Sequence, residues 1–121
     1  MVDDDTYTAV LAELDGIANA AMTQSQREMR AQPVLAQNGL SSSDLCSALA
    51  GEGLGWNHRK AAAYGVSVED WLRALDAAGL ENCDSLGTLL GVIHRAESAA
   101  AMLRAGYKPA RDDAGHLSWS H

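Results

Sequence analysis

Apolar residues recur at every third or fourth position along two long stretches of the chain. The first stretch contains Tyr7, Val10, Leu11, Leu14, Ile17, Ala18 and Ala21, and the second contains Leu86, Leu89, Leu90, Ile93, Ala96, Ala100 and Leu103. This spacing places each set on one face of an α-helix. The apolar residues are mainly Ala and Leu, which favour helices, and Phe is absent. The sequence therefore predicts an all-α fold, a small single-domain bundle of four to five helices with no sheet.

The ends of the helices are predicted from capping residues, glycines and prolines. Carboxylates at residues 3–5 suit the start of the first helix, and Gln32 before Pro33 predicts its end by about residue 31. Later helices are predicted to start after Ser41–Asp44, at Trp56, after Ser67, and after Asp84 or Ser85. Residues 1–107 are predicted to form the helical domain. Residues 108–121 lack periodicity and are predicted to be a flexible C-terminal tail.

Burial is predicted from the same apolar faces. The positions expected in the core are Leu14, Ile17, Leu72, Leu75, Leu89, Leu90 and Ile93. The last helix carries a second apolar row, formed by Val92, Ala99 and Met102. This wide apolar arc predicts that the last helix is either central in the fold or covered by a partner.

The chain is acidic, since its 121 residues include 9 Lys and Arg against 16 Asp and Glu, for a net charge of −7. Such a surface repels phosphate and suits a basic patch on another protein. The acidic residues expected to face that partner are Asp3, Asp4, Asp5, Glu13 and Asp15 near the N-terminus, with Glu69 and Asp70 further on. Trp56, which follows a glycine-rich turn, is a further candidate because exposed Trp is enriched at binding hot spots.

The cysteines and the first residues of the chain indicate the cellular compartment in which the protein is expected. Cys46 and Cys83 stand alone, and the start, MVDDDTYT, lacks the basic region of a signal peptide. No apolar run is long enough to cross a bilayer. We therefore expect a cytoplasmic protein with reduced thiols and no contact with a membrane.

The segment from Asn57 to Leu75, NHRKAAAYGVSVEDWLRAL, resembles the helix-turn-helix signature. Ala61 lets the two helices cross closely, Gly65 supplies the tight turn, and Ser67 caps the second helix. The resemblance covers about 19 residues and implies a DNA-binding element whose duplex contacts would come from Arg59, Lys60 and Arg73. The start of the presumed recognition helix, however, carries Glu69 and Asp70, where Arg, Lys, Asn or Gln would read bases.

We expect no catalytic activity from this chain. The chain shows no nucleophile elbow, phosphate-binding loop, dinucleotide fingerprint or zinc-ligand spacing. His94 and Glu97 share a helix, but one such pair does not make a metal site. We expect no catalytic residue, no cofactor and no metal.

Three hypotheses for function remain. The first is a small protein-binding module, an inhibitor or adaptor acting on a nucleic-acid-handling protein or complex. In size and charge the chain resembles small anti-defence inhibitors of phages and mobile elements, anti-CRISPR proteins among them. The alternatives are a helix-turn-helix DNA-binding regulator and a structural subunit of a larger assembly that uses the last helix as its interface. A homodimer is compatible with each of the three.

Overall fold

The computed structural model describes residues 3–121 and contains helices and one small hairpin. The helices are α1 (Asp4–Ala18), α2 (Gln24–Gln37), α3 (Ser42–Leu49), α4 (Gly55–Tyr64), α5 (Val68–Ala77) and α6 (Leu86–Arg104). A short 3-10 turn, Leu80–Asn82, lies between α5 and α6. Strands β1 (Lys108–Arg111) and β2 (Leu117–Ser120) pair antiparallel after α6. The mainly helical prediction is confirmed, but the described residues hold six α-helices rather than four or five.

Most of the helices begin where a side-chain oxygen satisfies a free backbone N–H group of the first turn. Asp3, Thr23, Ser41, Ser67 and Ser85 each accept a hydrogen bond from the N–H group three residues later. At Thr23 and Ser41 the third residue returns the bond, which completes a capping box. The caps predicted at Ser67 and Ser85 are therefore confirmed.

The single helix predicted up to about residue 31 is wrong. Helix α1 ends at Ala18, and Thr23 starts α2 with its own capping box. The guanidinium of Arg27 donates to the carbonyl of Ala20 at 3.0 and 3.3 Å, which stabilises the turn between the two helices. Pro33 lies inside α2 instead of after a helix. Proline disfavours the helical conformation before it, and here that preference is overridden in a helix that buries only Ala31 and Leu35.

Helix α6 is the centre of the fold and packs against each of α1 to α5. Of the predicted core residues, Leu14, Leu75, Leu89, Leu90 and Ile93 are buried, while Ile17 and Leu72 are half-buried. The second row of α6 also points inward, because Val92 and Ala99 are buried and Met102 is half-buried. Of the two options for this helix, the central one is confirmed. Val92 and Ala99 contact the core and leave almost no side-chain surface for a partner.

Cys46 and Cys83 form a disulfide, so the prediction of reduced thiols is wrong. The bond joins α3 to the segment between the 3-10 turn and α6, and the two Cα atoms lie 6.0 Å apart. A separation of 37 residues in the chain gave no sign of this contact. Disulfides persist mainly in oxidising compartments, so the expectation of a cytoplasmic location loses its main argument. None of the helices that the structure describes is long and apolar enough to cross a membrane.

The segment predicted as a tail without regular structure forms the β1–β2 hairpin, so the prediction of no sheet is also wrong. Pro109 pairs with Trp119 and Arg111 with Leu117 across the two strands. Trp119 is half-buried against the core, and the guanidinium of Arg111 donates to the carbonyl of Ala77 at 2.7 Å. The hairpin is therefore fastened to the C-terminal end of α5, a long-range contact that local periodicity does not report.

Candidate functional site

The helix-turn-helix resemblance extends to the local backbone. Helix α4 ends at Gly65, which has the positive φ of +68° that glycine tolerates best, and Ser67 then caps α5. Ala61 is 4% exposed, and Trp71 of α5 is fully buried. The segment therefore has two helices joined by a tight turn and held by inward-facing residues, as the sequence predicts.

The exposed side of α5 carries more acidic than basic groups. Glu69 and Asp76 are exposed, and Arg73 is paired with Asp70 at 3.0 Å. On α4, Arg59 is exposed, whereas Lys60 points into the molecule. Of the three bases expected to touch DNA, only Arg59 is exposed and forms no ion pair among residues 3–121.

Lys60 is the centre of an ion cluster that joins three helices. Its ammonium lies 2.8 Å from Asp15 of α1 and 2.7 Å from Glu97 of α6. The three side chains are only 14%, 20% and 21% exposed, respectively. Asp15 is therefore not part of a solvated acidic face, and Lys60 is not available to a phosphate backbone.

Three aromatic rings surround the same ammonium. The ring centres of Trp56, Tyr64 and Trp71 lie 5.6, 5.1 and 5.8 Å from the nitrogen of Lys60, within the range of cation–π attraction. Trp71 contacts Trp56 edge-on and stacks on Tyr64. Trp56 is only 3% exposed, so it offers almost no surface to a partner and the hot-spot expectation is not supported.

The cluster shifts the pKa values of its members in different directions. Burial, and then a hydrogen bond with Glu97, raise the pKa of Asp15 above its usual value. Burial opposes ionisation of Glu97, but hydrogen bonds with Asp15 and Lys60 hold its pKa below the usual value. Burial likewise opposes the charge on Lys60, yet hydrogen bonds to both carboxylates leave its pKa raised. The ammonium therefore stays charged, and Asp15 is the carboxylate that takes up a proton first.

Asn57 holds the loop before α4 and is fully buried. Its amide donates to the carbonyls of Leu49 and Gly51 at 3.0 and 3.1 Å, and its oxygen accepts from the indole N–H of Trp71 at 3.0 Å. No local pattern in the sequence singles out Asn57. Its partners belong to α3, the following loop and α5, which only the fold brings together.

The acidic residues of the N-terminal segment have two kinds of role. Asp3 caps α1, and its hydrogen bonds with Thr6 lower its pKa. Asp4 accepts from the N–H of Gly55 at 2.9 Å and so caps α4, whose own N-cap residue has no side-chain bond. Asp5 and Glu13 lie exposed on α1 and pair with no basic side chain in the part of the chain that the structure describes.

A cavity of about 400 Å³ lies beside the ion cluster, and its lining includes Tyr64, whose ring centre is 5.1 Å from the nitrogen of Lys60. A groove of about 700 Å³ runs along α2, lined by residues such as Met29 and Pro33, and a cavity of about 230 Å³ lies under the hairpin beside Trp119. Neither space is lined by the cluster of Asp15, Lys60 and Glu97. Within residues 3–121, no three His, Cys, Asp or Glu side chains come close enough together to ligate a metal ion.

Comparison with known proteins does not assign the chain to a family. No protein-family model matches it, and no curated protein and no solved structure does so either. The function is therefore argued from the geometry of the molecule.

Proposed function

We propose that this protein is a non-enzymatic protein-binding module whose exposed acidic side chains cover a basic surface on another protein. The observation that carries the proposal is the set of exposed carboxylates at the N-cap and along α1, namely Asp3, Asp4, Asp5 and Glu13. None of the four pairs with a basic side chain within residues 3–121. Asp3 and Asp4 also accept backbone N–H groups as helix caps, whereas Asp5 and Glu13 are directed at solvent. We call these four residues the α1 acidic surface.

Opposite charges on two proteins attract each other over long range. A net charge of −7, from sixteen acidic and nine basic side chains, attracts a positive partner before contact and repels nucleic acid. A protein that handles nucleic acid carries such a positive surface, since it must bind phosphate. The charge of this chain therefore fits an inhibitor or adaptor, including one of the anti-defence type, whose partner is a protein that handles nucleic acid.

The ion cluster supports a stabilising rather than a catalytic role. Two neighbouring carboxylates can serve as general acid and general base, but here Lys60 binds both of them. A general acid or base needs an approach for substrate, and neither carboxylate lines a described cavity, although Tyr64 lines one of about 400 Å³ beside them. We therefore propose that Asp15, Lys60 and Glu97 hold α1, α4 and α6 together and that the molecule acts by binding.

The alternative function is a DNA-binding regulator, which the turn at Gly65 favours. Its shape suits the major groove, but Glu69 and the paired Arg73 weaken attraction to phosphate. Arg59 alone would be left to contact the duplex from these two helices. Protein binding is the better-supported function on these grounds.

Affinity capture with matched charge variants tests the proposal. The immobilised wild-type protein is compared with Asp5→Lys/Glu13→Lys, and a control carries the same charge change at Glu81 and Asp113, which are exposed elsewhere. We expect the wild type and the control to capture the same basic protein from a lysate of the native host, and the α1 variant to lose it. Equal capture by all three proteins would contradict the role of the α1 acidic surface, and capture of duplex DNA instead would favour the regulator.

A further inference from the structure

Helix α3 is held against the molecule by few contacts. It is eight residues long, and it buries only Leu45 and Leu49. No ion pair links α3 to another element within residues 3–121. Among residues 3–121, the one side-chain hydrogen bond between α3 and another helix runs from the amide of Asn57 to the carbonyl of Leu49. The remaining attachment is the covalent bond from Cys46 to Cys83.

Both cysteines of the disulfide are accessible to a reductant. Cys46 and Cys83 are half-buried, and their neighbours in the chain, Ser47 and Asp84 among them, are exposed. Helix α3 contacts α1 and α6 through Leu45 and Leu49, while α6 also packs against α1, α2, α4 and α5 without it. Short elements with few buried contacts are the ones that open locally while the core stays folded.

We propose that Cys46–Cys83 is a thiol–disulfide exchange site that controls whether α3 is held in place. Its substrate class is a dithiol reductant. When the disulfide is intact, α3 and the α3–α4 loop are fixed against α6. When the disulfide is reduced, residues 42–54 open while α1, α5 and α6 remain folded. This proposal is independent of the one for the α1 acidic surface.

The exchange proceeds in two balanced steps. A thiolate of the reductant attacks one sulfur of the pair, which breaks the S–S bond, forms a mixed disulfide and releases the other cysteine as a thiolate that takes up a proton. The second thiolate of the reductant then attacks its own sulfur in the mixed disulfide and releases the remaining cysteine, which is also protonated. The protein gains two electrons and two protons, and the reductant leaves as its own disulfide.

Asn57 provides the link between α3 and the core. It bonds the carbonyls of Leu49 and Gly51 on one side and the indole of Trp71 on the other. Opening of α3 removes the acceptors on the first side, so the environment of Trp71 should change while the helix that carries it stays folded. Tryptophan fluorescence therefore reports on the redox state.

Hydrogen exchange on the full chain tests the proposal, with dithiothreitol as the reductant. Protein isolated without reductant, under an alkylating quench, is expected to show no alkylated cysteine. After reduction, the amides of residues 42–54 should exchange at least about tenfold faster, as expected for local opening, while those of α6 change little. The double variant Cys46→Ser/Cys83→Ser should behave like the reduced protein and ignore dithiothreitol.

Circular dichroism of the reduced wild type gives a second measurement if the double variant does not fold. The expected loss of helix is no more than that of α3, which has eight residues. Three results would overturn the proposal: loss of all helical signal on reduction, unchanged exchange of residues 42–54, or two alkylated thiols in protein that has met no reductant. The first would make the disulfide a staple for the whole fold.

Discussion

Lys60 is the residue on which the interior charge of the molecule depends. Replacement by Met would leave Asp15 and Glu97 facing each other with no cation between them. We expect Lys60→Met to lower the free energy of unfolding by about 2–4 kcal/mol, between the values for surface and fully buried pairs. Urea denaturation measures the loss, and Arg59→Met, an exposed neighbour, is the control, with an expected change below about 0.5 kcal/mol. Equal stability of the two variants would show that the cluster contributes little.

Glu97 gives the molecule part of its dependence on pH. Its pKa in the folded state is held below the usual value of 4.5, so the ionised form stabilises the fold. That contribution is fully present above about pH 4.5 and is lost as the pH falls through the folded value. Asp15 acts in the opposite sense, because its raised pKa favours the protonated form in the folded state. We therefore expect Glu97→Gln to flatten the acid side of the stability curve, measured by urea denaturation from pH 6 to 3, and a steeper curve would contradict this assignment.

At the scale of elements, α6 carries the core. Leu90 is 1% exposed on its inner face, so Leu90→Ala should cost about 2–5 kcal/mol through lost burial and a cavity. Met29→Ala on α2 is the matched control, because Met29 is 75% exposed and its loss should cost little. Denaturant titration of both variants checks the prediction. A loss below about 1 kcal/mol for Leu90→Ala would be inconsistent with the central position of α6.

The guanidinium of Arg111 attaches the hairpin to the end of α5, where it donates to the carbonyls of Ala77 and Asp76. Arg111→Gln removes the guanidinium that donates to Ala77, and we expect a cost of about 0.5–1.5 kcal/mol because the side chain is largely exposed. The loss should be local. Hydrogen exchange should therefore quicken at residues 108–120 and stay unchanged in α6. Uniform change across the chain would show that the hairpin and the helices unfold together.

Elements fixed by neighbouring residues could be predicted from the sequence, and contacts between distant residues could not. The caps at Ser67 and Ser85 and the turn at Gly65 follow from local chemistry, so they were predicted correctly. The Cys46–Cys83 bond joins residues 37 positions apart and was missed. The hairpin was also missed, since its strands have four residues each and gain their stability from α5.

The candidate site shows the same division. Asp15, Lys60 and Glu97 come from three different helices, and the spacing between them in the chain carries no signal of contact. Sequence alone therefore places Asp15 on an acidic surface and Lys60 on a DNA surface, whereas in the fold they form an ion pair. Asp3, Asp5 and Glu13 are exposed, as the prediction of an acidic surface requires, and the helical periodicity near the N-terminus predicts this exposure.

The net negative charge of the whole molecule weakens its binding to nucleic acid. We expect binding to random duplex DNA at physiological salt to be weaker than about 100 µM, since seven net negative charges oppose the phosphates. A gel-shift titration checks this expectation. Micromolar binding that weakens steeply with salt would support the helix-turn-helix regulator.

The central claim is that the exposed carboxylates of α1 steer the protein to a basic partner. The most direct measurement is the association rate with the captured partner as a function of salt, for the wild type and for Asp5→Lys/Glu13→Lys. Because salt screens charges beyond about 8 Å near physiological strength, the wild-type rate should fall at least about tenfold from low to high salt, and the variant's rate should be slower and less sensitive. An association rate that does not change with salt would contradict the claim.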